Sequence, residues 1–183
     1  MFTRPINGGV TTDRWIHAGV AVALWVAVGW ARKKAGRASA PAALPPGTPE
    51  GERALAEVRA SWRAWAGLPA VLLGAWVPDW DLWVGGIGFH RSPLFHSVGP
   101  VLVAAGLLAL FRLRGPLWGL ALRAYAVGVA SHLLWDIVQY GDVRWIRGGN
   151  ADRLFLLANA GVLVAWAALA GGQREPPGED APA

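Results

Sequence analysis

Long apolar runs alternate with short polar segments along this chain. The runs cover residues 15–31, 64–77, 94–111, 116–139 and 154–170. No long segment shows the two-residue alternation of a half-buried strand. A helix needs ~20 apolar residues, and ~17 at the least, to cross a bilayer, so the second run is short for a full span. The pattern predicts an all-α integral membrane helical bundle of about four to five transmembrane helices, formed by residues 1–171 as one domain.

Three polar segments lie outside these runs. Residues 38–51 are rich in Pro, Gly and small side chains, which predicts a flexible linker. In residues 52–63 apolar side chains recur every three or four positions while charged residues take the other faces, which predicts an interfacial amphipathic helix. Residues 172–183 are polar and Pro-rich and cannot bury enough surface to offset their ordering entropy, so we expect a disordered tail.

The composition agrees with a membrane location. Hydrophobic residues make up 54% of the chain, charged residues 16%, and the mean hydropathy is +0.34, outside the usual balance of a soluble domain. The twelve Trp residues suit a bilayer protein, because indole rings favour the headgroup interface. The absence of Cys excludes disulfides and thiolate metal ligands. Any metal would have to be held by His, Asp or Glu.

The basic residues indicate a lipid partner and an orientation. A net charge of +5 could indicate nucleic acid binding, but Lys and Arg flank the apolar runs, so we expect membrane lipids as partners and no nucleic acid. Arg32, Lys33 and Lys34 directly follow the first run, which favours a retained helix over a cleaved signal peptide. Of the 17 basic residues, eleven fall opposite the side on which the chain begins, which predicts that the opposite side is cytoplasmic.

Imidazole and carboxylate groups collect at one predicted membrane face. The topology brings seven of them to the side on which the chain begins, which is the predicted extracytoplasmic side: His17, Asp79, Asp81, His90, His96, His132 and Asp136. Of these, His96 is predicted to open the third span. His132 and Asp136 lie four residues apart in the fourth span and therefore share a helix face. Nothing in the segmentation required this convergence.

These seven residues are the candidate ligands of a divalent metal. Charged groups within a bilayer are costly and usually face a protein interior or an aqueous cavity, where they find partners. Imidazole and carboxylate together favour zinc, or else manganese or iron, over calcium, which prefers oxygen ligands only. Ligation by more than four residues would allow two ions, so we expect one or two.

Each candidate also has a purely structural interpretation. His17 alone is compatible with an interface residue, and the Pro-Asp-Trp-Asp segment with a polar helix end. His132 and Asp136 could be a buried hydrogen-bonded pair, because each needs a partner deep in an apolar run. Arg91, between the two loop imidazoles, could extend to lipid headgroups. None of these interpretations predicts that all the residues converge on one face.

Three motifs resemble those of a known family. The sequence has G-x-x-x-P-D-x-D from Gly74 to Asp81, H-R-x-x-x-x-H-S from His90 to Ser97 and S-H-x-x-x-D from Ser131 to Asp136, with Gly141 following. In this order they resemble the YdjM-like (LexA-binding, inner-membrane-associated) family of membrane-bound metal-dependent hydrolases. His17 looks like the family's N-terminal His. Ser92, after Arg91, and Phe95, before His96, stand where the family motif HRGxTHS has Gly and Thr, and the spacing between Arg91 and His96 is one residue longer than in that motif, so Phe95 offers no counterpart to the Thr hydroxyl.

The resemblance implies a hydrolase of a phosphoester, such as a lipid headgroup, in a prokaryotic inner or plasma membrane. In that hypothesis Asp79 acts as a base or a ligand, and Arg91 contacts a phosphate oxygen with its guanidinium fork. Two alternatives stay open. A divalent-cation transporter also holds its ion with His and Asp within membrane helices, and a non-catalytic scaffold would use the metal to link helices. The expected substrate is a small molecule or a lipid.

Overall fold

Helices form most of the protein that the structure describes. The computed structural model describes residues 9–38, 65–86, 89–139, 143 and 150–170. The elements are α1 (Gly9–Ala38), α2 (Leu68–Trp76), a 3-10 turn (Val77–Trp80), α3 (Asp81–Gly85), α4 (Gly99–Leu110), α5 (Pro116–Gln139) and α6 (Asn150–Leu169). The all-α prediction is confirmed for these residues. The linker predicted beyond Ala38, the amphipathic helix predicted at 52–63 and the predicted tail at 172–183 lie outside them.

Two of the described helices are long and apolar enough to cross a membrane. They are α5, with 24 residues, and α6, with 20. Helices α2 and α4 have nine and 12 residues. At ~1.5 Å per residue they measure about 14 and 18 Å, less than the ~30 Å core of a bilayer. The apolar part of α1 is the shorter stretch Trp15–Ala31. The span count of four to five therefore stays a prediction.

Local sequence explains why the second and third apolar runs give short helices. The second run tightens into the 3-10 turn at Val77–Trp80, where Pro78 has no N–H for an α-helical hydrogen bond. In the third run the helix begins only at Gly99, with Pro100 in its first turn, where a missing N–H is tolerated. The prediction that His96 opens this helix is therefore wrong, because His96 lies in the turn before it.

Helix α5 is the centre of the described fold. It packs against α1, α2, α4 and α6, and every residue from position 124 to position 133 is buried. One side of α5 forms a core with Leu156 and Leu163 of α6. Another side forms a core with Ala21 of α1 and Val71 of α2. Because this stretch is enclosed by other helices, its sequence is apolar or small on all faces except at His132, rather than amphipathic.

Two glycines allow α2 and α5 to approach closely. A Cβ added to Gly74 would collide with the carbonyl oxygen of Tyr125, and one added to Gly128 would collide with the carbonyl oxygen of Val71. Both obstacles are backbone atoms and cannot rotate away. Small residues at such crossings let helix backbones come into van der Waals contact. The relative position of α2 and α5 therefore depends on Gly74 and Gly128.

We expect Gly128→Ala to destabilise the protein by about 1–3 kcal/mol, the usual cost of overpacking, because helix α2 would have to move away from α5. Gly106→Ala is the matched control, since a Cβ at that position in α4 meets nothing within 4 Å. A helical Gly→Ala change without steric conflict adds up to ~1 kcal/mol of stability. Unfolding of both variants in mixed detergent micelles measures the difference, and equal stability would contradict the close approach.

Candidate metal centre

One buried carboxylate anchors the loop that carries two of the imidazoles. The side chain of Asp81, at the start of α3, is completely buried. The amide N–H of Ser92 donates to Asp81 Oδ2 at 3.2 Å, and His90 Nδ1 lies 3.0 Å from Asp81 Oδ1. His96 Nδ1 lies 3.4 Å from Asp81 Oδ2. Asp81 thus contacts the loop at three positions and fixes its path.

The backbone bends sharply at Arg91, between the two residues that contact Asp81 most closely. Arg91 has a φ of 62°, in the left-handed region. This conformation costs a non-glycine residue ~1–3 kcal/mol and persists where the surrounding structure holds it. The contacts of His90 and Ser92 to Asp81 provide that restraint. The bend leaves Arg91 close enough to Asp136 for their charges to interact.

The charges at this end of the fold favour an ionised Asp81 and a neutral His96. Burial by itself would raise the pKa of Asp81, but the hydrogen bond with His90 and the nearby His96 outweigh it and hold that pKa below its usual 3.8. Burial, reinforced by the neighbouring His132, lowers the pKa of His96 to about 4. His96 is therefore neutral at physiological pH, which is the form of imidazole that binds metals.

Helix α5 supplies an imidazole whose orientation is fixed from behind. His132 Nδ1 lies 2.9 Å from the carbonyl oxygen of Ala75, at the end of α2. Because a carbonyl oxygen only accepts, this contact assigns the proton to Nδ1 and leaves Nε2 facing the carboxylates. His132 Nε2 lies 3.4 Å from Asp136 Oδ2 and 3.7 Å from Asp79 Oδ1. Imidazoles that bind metals usually have such a partner on the second nitrogen.

Two imidazoles share one oxygen of Asp136. His96 Nε2 and His132 Nε2 lie 3.3 and 3.4 Å from Asp136 Oδ2. Ligands held ~2.1 Å from a tetrahedral ion are separated from each other by ~3.4 Å, so these spacings match a coordination sphere. All three side chains are buried, and together they form a group that could hold a metal ion. A proton shared by Asp136 Oδ2 and one imidazole would form a hydrogen bond in only one of the two contacts, whereas a metal ion would bind all three atoms.

Two further groups overlap with the first. One consists of His17, Asp79 and His132, and the other of Asp79, His90 and His96, with the ligand atoms of each group within 4.8 Å of one another. The ring of His17, from α1, stacks on that of His132 with centroids 4.3 Å apart. The structure thus brings together side chains from α1, the 3-10 turn, the following loop and α5. Buried His/Asp clusters that could hold a metal ion are present at this end of the fold.

Asp81 differs from the other predicted ligands. It belongs to none of the three groups found among the described residues, and its oxygens contact His90, His96 and the Ser92 amide instead. A carboxylate behind an imidazole holds the ring in place and raises its basicity as a ligand. The arrangement favours this supporting position for Asp81, while its predicted role as a direct ligand stays a prediction.

Several polar atoms at the centre of the cluster make no hydrogen bond within the described residues. They are His96 Nδ1 and Nε2, His132 Nε2 and Asp136 Oδ2, all of them buried. A buried polar group without a partner costs ~1–3 kcal/mol, so such atoms rarely accumulate at one point without a reason. These atoms are nitrogen and oxygen donors that converge, which is the donor set of a zinc-type ion. The residues present therefore fit a bound divalent metal.

The sequence pattern missed three groups that hold the site. Ser92 contributes a backbone N–H to Asp81, and the Ala75 carbonyl accepts from His132. Asn159 of α6 accepts a hydrogen bond from the N–H of Val98 at 3.0 Å and so ties the loop to α6. A backbone group carries no sequence signal, but Asn159, within the apolar run 154–170, was such a signal, because a side-chain amide among apolar residues needs a hydrogen-bond partner.

Comparisons with known proteins add no assignment for this site. No protein-family model, no curated protein and no solved structure matches this chain.

We expect Asp136→Asn to weaken metal binding more than tenfold, because it removes the negative charge that two imidazoles share while keeping the shape of the side chain. Asp152→Asn is the matched control, since Asp152 is a buried carboxylate of α6 outside all three groups. Elemental analysis of the purified proteins after dialysis measures bound metal. Stoichiometric metal in the Asp136 variant would contradict the assignment of this metal centre. Absence of bound metal from the wild type after loading with zinc would contradict it as well.

Proposed function

We propose that this chain is a membrane-embedded, metal-dependent hydrolase that acts on a phosphoester. The observation that carries the proposal is the buried group His96, His132 and Asp136, in which both imidazole Nε2 atoms lie 3.3–3.4 Å from Asp136 Oδ2. Zinc is the metal we expect, because mixed imidazole and carboxylate ligation at tetrahedral spacing suits it. The motif resemblance to membrane-bound metal-dependent hydrolases implies the same class of reaction.

A membrane location is supported by two kinds of observation. Helices α5 and α6 are long and apolar enough to span, and in our proposal α1, α2 and α4 complete a bundle of about four to five membrane helices. Trp76, Trp80 and Trp83, next to the site's carboxylates, are 42%, 50% and 84% exposed. Exposed indoles favour the headgroup interface. A site at this depth would meet the phosphoester of a lipid.

The metal would supply the central chemistry. When bound, a divalent ion acts as a Lewis acid on a phosphoryl oxygen and makes water a better nucleophile near neutral pH. Asp79, His96 and His132 each belong to two of the three ligand groups. These overlapping groups support binding of one or two ions. A second ion, if held by the overlapping groups, would supply stabilisation of the leaving oxygen in addition to that of the attacking oxygen.

Two residues of the chain are suited to act directly on substrate. The side chain of Asp79 is 36% exposed, whereas those of His132 and Asp136 are 1% and 7% exposed. Asp79 is therefore accessible to water and substrate and could accept the proton of the attacking water. Arg91 offers a planar guanidinium whose parallel N–H groups match two phosphate oxygens. Its position beside Asp136 places this fork next to the ligand group.

The geometry supports hydrolysis better than transport. Transporter sites tend to lie near the bilayer midplane with access from both sides in turn. Here the ligands come from α1, the 3-10 turn after α2, the loop after α3 and the last two turns of α5. Metal flux in proteoliposomes without hydrolysis of any phosphoester would favour the transporter. Unfolding on metal removal, with no activity and no flux, would favour the scaffold.

We expect Asp79→Asn to retain bound metal and to lose about 10²–10⁴-fold in hydrolysis of bis(4-nitrophenyl) phosphate, because the proton acceptor is removed while the buried ligand group remains. Asp152→Asn should keep both metal and activity. Activity and elemental analysis are measured on the same zinc-loaded preparation. Wild-type activity of the Asp79 variant would exclude Asp79 as the proton acceptor. Loss of metal from that variant would identify Asp79 as a metal ligand.

The proposed orientation places the site on the extracytoplasmic side, and the chain's lack of Cys makes it simple to test. Val84, at the end of α3, is 74% exposed, and Leu113, in the turn between α4 and α5, is 38% exposed. We expect a membrane-impermeant maleimide to label Val84→Cys in intact cells and Leu113→Cys only after lysis, because the two positions lie at opposite ends of the bundle. The reverse pattern would invert the orientation.

A further inference from the structure

An apolar groove runs along the outside of the bundle next to the site. It has a volume of about 540 Å³ and lies between α2, α4 and α5. Its lining includes Leu73, Val103, Ala104, Leu107 and Leu122. None of the described residues that line it is charged, and the polar atoms of its side chains are confined to two indoles and one phenol. Small-molecule sites of ~300–1,000 Å³ usually add polar groups that fix orientation, and this groove has few.

The groove begins beside residues of the candidate metal centre. Val77 and Trp80 line it from the same 3-10 turn that carries Asp79. Phe95 lines it from the loop, one position before His96. Both walls of the groove therefore include close sequence neighbours of ligand residues, from the 3-10 turn on one side and from the loop on the other. A molecule in the groove would have one end beside Asp79 and His96.

The shape of the groove suits an extended chain. Its lining follows α4 from Gly99 to Leu108, which is about 14 Å at ~1.5 Å per residue. Leu73 and Leu107 line it and are 45% and 48% exposed, so its side is partly open. A chain could enter sideways from the bilayer without passing through the site. A phosphate could not bind within the groove itself, because a buried charge needs partners that these walls lack.

We propose that this groove binds one acyl chain of a phospholipid, so that the phosphoester of the same lipid lies at the His/Asp centre. The inference rests on the proposed function and narrows its substrate from phosphoesters in general to those of membrane lipids. Two observations carry it: the apolar lining, and the presence in that lining of Trp80 and Phe95, which adjoin Asp79 and His96 in sequence. A groove connected to a phosphoester site and lined by leucines selects a molecule with an apolar tail and a phosphate head.

In a bilayer the groove adds little affinity for an acyl chain, because the neighbouring lipid tails that the chain leaves are as apolar as the leucines of the groove. Its effect there is to orient the lipid and to hold the phosphoester at the ligand groups. Outside a bilayer the alternative to the groove is water, and burial of each methylene then strengthens binding roughly fourfold. Chain-length dependence in lipid-free protein is therefore the property to measure.

The test uses lipid-free, zinc-loaded protein in an amphipathic polymer and two series of probes below their micelle concentrations. Calorimetry measures the binding of n-alkylphosphonates with one to twelve carbons, and absorbance follows hydrolysis of n-alkyl 4-nitrophenyl phosphates of the same lengths. Ala104→Trp fills the groove, and Ala121→Trp fills it from α5. Ala109→Trp is the matched control, because Ala109 is an exposed residue of α4 outside the lining.

We expect wild-type protein and the Ala109 variant to bind longer phosphonates more tightly, with a gain of about fourfold per carbon that ends when the groove is full. Both groove variants should lose at least tenfold in affinity for the twelve-carbon probe and keep wild-type affinity for methylphosphonate. Unchanged chain-length dependence in a folded groove variant overturns the inference, as does an equal loss in the Ala109 variant. Failure of the wild type to hydrolyse any probe sinks the proposed function, whatever the binding series shows.

Discussion

The contact between α2 and α5 is the constraint on which the site depends. Gly74 and Gly128 face backbone atoms of the opposite helix, so the two helices are as close as their main chains allow. Ala75, next to Gly74, thereby brings its carbonyl oxygen within 2.9 Å of His132 Nδ1. The helix crossing and the orientation of an imidazole are thus parts of one arrangement. A wider crossing would leave His132 without the partner that directs its second nitrogen.

The chain after α2 continues this arrangement. The 3-10 turn containing Pro78 places Asp79 near His132, and Asp81 follows as a fully buried carboxylate that holds the returning loop. That loop carries His96 to within 3.3 Å of Asp136. The positive φ at Arg91 shows that contacts on both sides restrain the bend. The 3-10 turn, the returning loop and α5 therefore all contribute side chains to one cluster, which is how a small bundle builds a site that no single helix could provide.

Charge balance is the second constraint. Buried imidazole nitrogens and carboxylate oxygens face each other at 3.3–3.4 Å without well-formed hydrogen bonds among the described residues. Such an arrangement is stable when a cation occupies the space between the donors, because buried charge otherwise lacks compensation. A neutral His96 with a pKa of about 4 is consistent with this view, since protonation there would oppose metal binding. The groove, by contrast, is lined by apolar side chains, and none of its described lining residues is charged. A substrate bound at both places would need a charged group at one end and an apolar chain at the other.

The sequence by itself determined the all-helical fold, the limits of α5 and the sharing of one helix face by His132 and Asp136. These properties are local, because they follow from apolar periodicity and from a four-residue spacing. The sequence also indicated that the second apolar run is short, whereas the structure alone decided that α4 is short and that His96 lies in a turn. The structure also decided that Ser92, Asn159 and the Ala75 carbonyl support the site, and that an apolar groove meets it. Those properties depend on distances between segments far apart in sequence, and the packing of backbones around α5 sets those distances.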